Sequence, residues 1–327
     1  MARLYVTEQG AGVGLDRGKI RVMLGEQLLS STPANCIEAI SLFGNVGITT
    51  PLLHHCFKAD CRVAFFSRSG RYLGSALLPS GKNIPLRIAQ VKFMEDNSFS
   101  MQIASTIVET KIRNCRRFTK RQLWNSHNIP VDSELAVLTK LARACQTCNC
   151  PKALRSLEAR AARIYFGVLG QLVASRTEFV GRIRRPPQGI LNVLLSLGYS
   201  MLSAECASAI EAAGLDPCIG VMHSLRYGRA SLGLDLVEEF RTPVAERLAI
   251  NLITNNFKDF REGDEPATLL SKRSLDRFFR EYEKRMTTSV TERDRRLTLR
   301  QAIHRQAGRL ANCFRTGTPE YIPFLYR

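Results

Sequence analysis

Three short stretches carry residues that could do chemistry. In the first, Glu158-Ala159-Arg160-Ala161-Ala162-Arg163-Ile164-Tyr165-Phe166, the spacing i, i+4, i+7 puts Glu158, Ala162 and Tyr165 on one helical face. The small residues at 159, 161 and 162 let another element approach closely. A carboxylate on such a face either ligates a metal or pairs at the surface with Arg155, one turn away. In the second, Gly214 to His223, two glycines and a proline shape a loop that delivers a single histidine. His223 either offers a neutral ring nitrogen to a metal or is a part-exposed loop residue. In the third, Arg226 to Arg241, Asp235 and Glu238 stand three apart and share a face if the segment is helical, with Val237 and Phe240 turned to the core. Two carboxylates so placed repel each other unless a cation lies near them. A solvated acidic turn is the plain alternative, but arginines flank this one at 226, 229 and 241.

Taken as a set, Glu158, His223, Glu238 and Asp235 are oxygen and nitrogen donors without a thiolate, the kind that suits Mg²⁺ or Mn²⁺. Such a site fits phosphoryl transfer, with arginines to hold phosphates on either side.

Charge points the same way. The 327 residues hold 47 Lys+Arg against 29 Asp+Glu, a formal net charge of +18, with a sequence pI near 9.9. That excess fits a surface that neutralises phosphates, and argues against an enzyme of small neutral substrates. No basic amphipathic anchor or lipidation motif supports a membrane surface instead. Within residues 1–80, 8 basic and 5 acidic residues leave +3, so +15 belongs to the remainder. In that part Arg113, Arg117, Lys120 and Arg121 fall on one face of a long helix and could track DNA. Arg184, Arg185, Arg226, Arg229 and Arg241 are further candidates for DNA contact. Cys145, Cys148 and Cys150 invite a zinc reading but lack an obvious fourth ligand. Met1-Ala2-Arg3-Leu4 runs straight into a strand-like pattern, and ten cysteines read as reduced thiols. Both point to a cytoplasmic protein.

The elements that must position these groups change character near residue 80. Residues 1–78 read as β structure. Val13 to Leu24 carries a hairpin signal turning at Asp16-Arg17-Gly18. Ile37 to Phe43, Arg62 to Phe66 and Tyr72 to Leu78 are further strands, and Pro51 to Lys58 is helix-like. Pro79-Ser80-Gly81-Lys82-Asn83-Ile84-Pro85 is a breaker cluster, which places a linker over 79–88. Beyond it the period is helical, over Ser98–Asn125, Ser133–Ala144, Leu154–Val173, Gly189–Ala213, Val244–Phe257 behind Pro243, Ser271–Arg285 and Thr298–Phe314. The expectation is an α+β chain: an N-terminal β-rich domain over 1–78 and a larger all-α domain over 89–327. The apolar stretch Ile190 to Gly214 is interrupted by Asn192, Ser196, Ser200, Ser203 and Glu205. It reads as a buried helix and not a membrane span.

The three stretches, in order, resemble the signatures of the CRISPR-associated protein one family, the adaptation integrases. The matching patterns are Glu-x-x-Ala-Ala-x-x-Tyr-Phe at 158–166, Gly-Leu-Asp-Pro-x-Ile-Gly-x-x-His at 214–223, and Gly-Arg-x-Ser-Leu-x-Leu-Asp-Leu-x-Glu-Glu-Phe-Arg at 228–241. Arg185-Pro186-Pro187 through Asn192 to Gly198-Tyr199 is similar to the family too, as are Phe43 to Gly74 and Gln301 to Arg327. Ala159 stands where the family often has Gly, and Gly189 where Asp is common.

The resemblance implies a β domain that mediates homodimerisation and a helical catalytic domain. It implies that Glu158, His223 and Glu238 bind a divalent metal, with Asp235 a neighbouring acid of the site. It implies a partner, CRISPR-associated protein two, and attack by a prespacer 3′-hydroxyl on a repeat phosphodiester, with metal-dependent DNA cleavage as a related activity. Two rival readings share the basic surface: a catalytically silent DNA-binding scaffold and a general DNA-repair nuclease.

Overall fold

The switch from period-two to helical patterning near residue 80 divides the molecule. The computed structural model describes residues 2–76, 83–124, 130–255, 257–260, 270–292 and 295–326. The chain forms two compact units, Met1–Ser80 with Leu269–Leu275, and Gly81–Thr268 with Asp276–Arg327.

The first unit holds two four-stranded sheets. One has the order β1 (Ala2–Val6), β5 (Ile37–Phe43), β7 (Arg62–Phe66), β8 (Tyr72–Ala76). Its first two pairings are parallel, and its last is antiparallel. Strand β5 is nearly continuously apolar because it lies between two partners and is covered on its faces. A parallel neighbour needs a crossover, and helix α1 (Thr50–Lys58) supplies the one from β5 to β7, with Leu52 and Cys56 buried. The other sheet has the order β4 (Gln27–Pro33), β3 (Lys19–Leu24), β2 (Gly12–Asp16), β6 (Gly47–Ile48). The expected β2–β3 hairpin turns at Arg17-Gly18, where both residues have positive φ. Val13, Ile20, Val22, Ile40, Leu42, Leu52 and Val63 form the shared core.

The second unit is built from α2 (Ile84–Glu95), α3 (Asn97–Trp124), α4 (Asp132–Gln146), α5 (Pro151–Val173), α6 (Ile190–Ala212), α7 (Ser231–Phe240), α8 (Arg247–Asn255) and α10 (Leu299–Thr316). Helix α9 (Lys272–Met286) contributes its residues from Asp276 onward. Helix α6 is buried on nearly all sides, between α7, α8 and α10. It is long and apolar enough to cross a membrane by composition, but here it is the core helix. Close approach is set by glycine. A Cβ on Gly198 of α6 would lie 3.1 Å from Ala245 Cβ, and one on Gly233 of α7 would lie 3.3 Å from Ala207 Cα. Helix α10 starts with a capping box, Thr298 accepting from Gln301 N and Gln301 from Thr298 N, worth about 1 kcal/mol.

Three expectations differ from this arrangement. The second part is not all-helical, because β9 (Ser289–Glu292) and β10 (Arg295–Thr298) form a hairpin. Its strands are four residues long and mostly charged or polar, too short for a period to register. Helix α2 begins at Ile84, inside the expected linker, with Asn83 capping it and Pro85 in its first turn. Pro243 does not start a helix. It sits in a π-helical turn, Thr242–Glu246, that carries α7 into α8 without a break. The wider i→i+5 bond from Glu246 N to Arg241 O accommodates a residue with no N–H to donate. The expected strand end at 77–78, the breaker residues 79–82 and the helix end at Asn125 lie outside the described residues.

Candidate active site

Helix α3 packs against both α5 and α7, and facing side chains of the three meet at one ammonium group. On α3 the residues Ala104, Val108, Lys111 and Cys115 recur at i, i+4, i+7, i+11 and are all buried, so Lys111 is held on the apolar seam of an amphipathic helix. Its side chain is 5% exposed. Its Nζ lies 2.5 Å from Glu158 Oε1 on α5 and 2.7 Å from Glu238 Oε2 on α7. Burial works against the charge on Glu238. Lys111 and Arg241, with a smaller contribution from His223, outweigh it and hold this carboxyl well below the usual carboxylate range. Glu238 is therefore an anion at neutral pH.

The network continues behind Glu238. Arg241 donates to Glu238 Oε2 at 3.1 Å, to Glu246 Oε1 at 2.7 Å and to the Tyr199 hydroxyl at 2.8 Å. The π turn is what brings Glu246 onto Arg241. Tyr199 donates to Glu246 Oε1 at 2.7 Å, and the Arg182 guanidinium stacks over its ring at 5.3 Å. Burial pushes Glu246 toward neutrality, but Arg241 and the hydrogen bonds keep its carboxyl below the ordinary value.

His223 and Asp235 form a second cluster. Asp235 is wholly buried. Its Oδ2 accepts from Val221 N at 2.7 Å and Met222 N at 3.1 Å. Its Oδ1 accepts from His223 N at 3.1 Å and lies 2.6 Å from His223 Nδ1. One carboxylate thus folds the loop and orients the ring. With Nδ1 engaged by Asp235, the ring presents its other nitrogen, Nε2, as the one available to a ligand. Gly220 has no room for a side chain, since a Cβ there would lie 2.8 Å from Asp235 Oδ2. His223 lines a cavity of about 180 Å³ together with Met101, Arg155 and Met222.

Of the four candidate acids and bases, then, Glu158 and Glu238 converge on one cationic point. Asp235 stands behind His223, with its oxygens spent on the loop and the ring. Among the described residues, no three His, Cys, Asp or Glu side chains gather closely enough to hold a metal ion as they stand. The donor chemistry nevertheless fits a hard divalent cation: two anionic oxygens already share one cation, and an imidazole is anchored through its other nitrogen.

The basic candidates separate. Arg113, Arg117, Lys120 and Arg121 are exposed on α3, though Arg113 pairs with Glu109 at 2.6 Å and Arg117 donates to Tyr326 O at 3.1 Å. Arg184, Arg185 and Arg226 are exposed, and Arg229 is half-buried. Arg241, expected among the DNA contacts, is not on the surface. It is buried, and its donors are spent on Glu238, Glu246 and Tyr199. Of the three thiols, Cys145 is buried, donates to Leu141 O at 3.3 Å and is pushed up to about 12, mainly by burial.

A family model described as CRISPR associated protein Cas1 matches residues 4–284. The chain belongs to the Cas1 family. It is 32% identical over 334 residues to CRISPR-associated endonuclease Cas1 3 of Thermus thermophilus, covering 99% of this chain and 97% of that protein. It is 33% identical over 339 residues to CRISPR-associated endonuclease Cas1 1 of Moorella thermoacetica, covering 99% and 98%. A chain of a solved Cas6-RT-Cas1–Cas2 complex superposes with a TM-score of 0.83 at 25% identity, over 99% of this chain and 36% of that longer one. In this Cas1 family member, Lys111 and Glu246 join the network around Glu238, and neither stands out in the sequence; Arg241 does, but as a DNA contact. Lys111 was masked by its neighbours in a basic run, Arg113, Arg116 and Arg117. The available signal was its phase, a lysine in step with Ala104, Val108 and Cys115.

Proposed function

We propose that this chain is a metal-dependent DNA endonuclease and integrase of CRISPR adaptation. The observation that carries the reading is the convergence of Glu158 and Glu238, from separate helices, on a single cation position in a family whose curated relatives are named endonucleases. Glu158 and Glu238 would hold Mg²⁺ or Mn²⁺, with His223 contributing Nε2. When bound, the ion supplies charge neutralisation at phosphate oxygens and a more acidic attacking hydroxyl.

The chain's own residues do the rest. Asp235 fixes the imidazole so that Nε2 faces outward. Arg241 keeps Glu238 anionic and is itself held by Glu246. In strand transfer, the prespacer 3′-oxygen forms a bond to a repeat phosphorus while the phosphorus–oxygen bond to the repeat's own strand breaks. The hydroxyl proton leaves, and the departing 3′-oxygen takes one up. The exposed arginines of α3, with Arg184, Arg185 and Arg226, supply charge for the DNA backbone.

Homodimerisation through the β-rich unit is supported by β4, an edge strand that leaves Leu28 and Leu29 exposed. The CRISPR-associated protein two partner is supported by the similarity to a chain solved in a Cas1–Cas2 complex. A function in DNA capture would be exercised in the cytoplasm, where the DNA is.

The silent-scaffold reading has one observation in its favour, the Lys111 ammonium that sits between the two carboxylates. Strand transfer of a labelled prespacer into a repeat-bearing plasmid separates the readings. Wild-type protein with its partner and Mn²⁺ is expected to transfer, and Glu158→Gln or His223→Ala to lose at least about 100-fold. Equal transfer by both variants rejects the catalytic assignment.

A further inference from the structure

We propose that Lys111 is a built-in competitor of the divalent ion: in the metal-free enzyme its ammonium occupies the place between Glu158 and Glu238 that the ion must take. This rests on the metal reading of the same site. The geometry carries it. One nitrogen lies within hydrogen-bond reach of both carboxylates, 2.5 and 2.7 Å away, so the two oxygens are within about 5 Å of each other, and an ion with bonds of about 2.0–2.1 Å can draw them together. Among the described residues, Lys111 is the sole partner of the Glu158 carboxylate. Glu238 has Arg241 as well. Two carboxylates facing each other from α5 and α7, Glu238 buried and Glu158 part-buried, would repel without a cation, and Lys111 supplies it from the chain itself.

The arrangement is built in and not incidental. A solvent-facing lysine would keep its ammonium in water, with its stem free to rotate. Here the stem lies in the seam with Ala104, Val108 and Cys115 on its own helix, and the head ends between the two carboxylates. An ammonium and a divalent ion cannot share this point, because a positive charge a few ångströms from the ion opposes it strongly at low effective dielectric. Metal loading therefore displaces Lys111, and metal affinity is set by the difference between two cations. The displaced head remains tethered at the wall of the site, where a DNA phosphate is a suitable acceptor.

The test is a Mn²⁺ titration of the full-length protein at fixed pH and ionic strength, followed by the electron paramagnetic resonance signal of free Mn²⁺. Wild type, Lys111→Met, Lys111→Gln, Lys111→Arg and Glu158→Gln are compared. Neutralising Lys111 is expected to tighten Mn²⁺ binding about tenfold or more, while Lys111→Arg, which keeps the charge, stays within about threefold of wild type. In thermal melts, Mn²⁺ is expected to raise the Tm of Lys111→Met more than that of wild type. If Lys111→Met does not fold, Lys111→Gln, which can still hydrogen-bond a carboxylate, carries the comparison. Mn²⁺ binding that is unchanged or weaker in the neutral variants, yet lost in Glu158→Gln, overturns the competitor role and leaves the metal site standing. Mn²⁺ binding insensitive to Glu158→Gln removes the metal site and the competitor with it.

Discussion

Asp235 accepts four hydrogen bonds, three from consecutive backbone N–H groups and one from the His223 ring. It is a positioning residue, and its removal should be felt at His223. Asp235→Asn keeps the shape but offers a single carbonyl oxygen, and places an amide donor against N–H donors. Loss of one orienting partner is expected to lower Mn²⁺-dependent DNA cleavage by about 10- to 100-fold. Stability should fall by about 1–3 kcal/mol as buried donors lose their acceptor. Single-turnover cleavage together with denaturant melts checks both, and full activity in a folded Asp235→Asn protein would show that the ring needs no such anchor. The neighbouring acids on α7 differ in kind. Glu238 is held ionised by Lys111 and Arg241. Glu239 faces Gln306, Tyr321 and Phe324 N, and burial, despite those hydrogen bonds, raises it to about 7.

At the scale of elements, the site depends on α7 being pinned from behind. Asn114 of α3 donates to Glu239 O at 3.0 Å and Phe324 O at 3.1 Å and accepts from Tyr326 N at 3.0 Å. A single buried side chain thus ties α3, α7 and the C-terminal segment together. Asn114→Ala removes one hydrogen-bond partner from each of two carbonyls and an N–H and is expected to cost about 3 kcal/mol, read as a drop in the denaturation midpoint. A loss under about 0.5 kcal/mol would mean the C-terminal segment is held by other interactions. Sequence patterning reached most of these elements because the helices are long and the β2–β3 turn has its own residue chemistry. It did not reach the β9–β10 hairpin or the π turn at Pro243, because both are settled by tertiary packing. Likewise the three motifs located Glu158, His223 and Glu238, each marked by local spacing. Whether their side chains meet is fixed by helices distant in sequence. That is why Lys111, on α3, was legible only as one basic residue among several, and why Arg241 was expected on DNA when it is a buried counter-ion.

For the whole molecule, a net charge of +18 concentrated outside residues 1–80 predicts DNA binding with a steep salt dependence. Replacing Arg113, Arg117, Lys120 and Arg121 by Gln together is expected to weaken binding to any duplex. It should also flatten the slope of log K against log salt by about 0.9 for each phosphate that is no longer neutralised. An unchanged slope would place the DNA path elsewhere on the surface. Activity requires in addition that this charged surface deliver a phosphodiester to the point where α3, α5 and α7 meet. Crystals grown or soaked with Mn²⁺ and measured for anomalous scattering at the manganese edge test that point directly. The account predicts one peak between Glu158 and Glu238, within coordination reach of His223 Nε2, with the Lys111 head moved aside. A lysine still bridging the two carboxylates at saturating Mn²⁺, with no peak beside them, would contradict it.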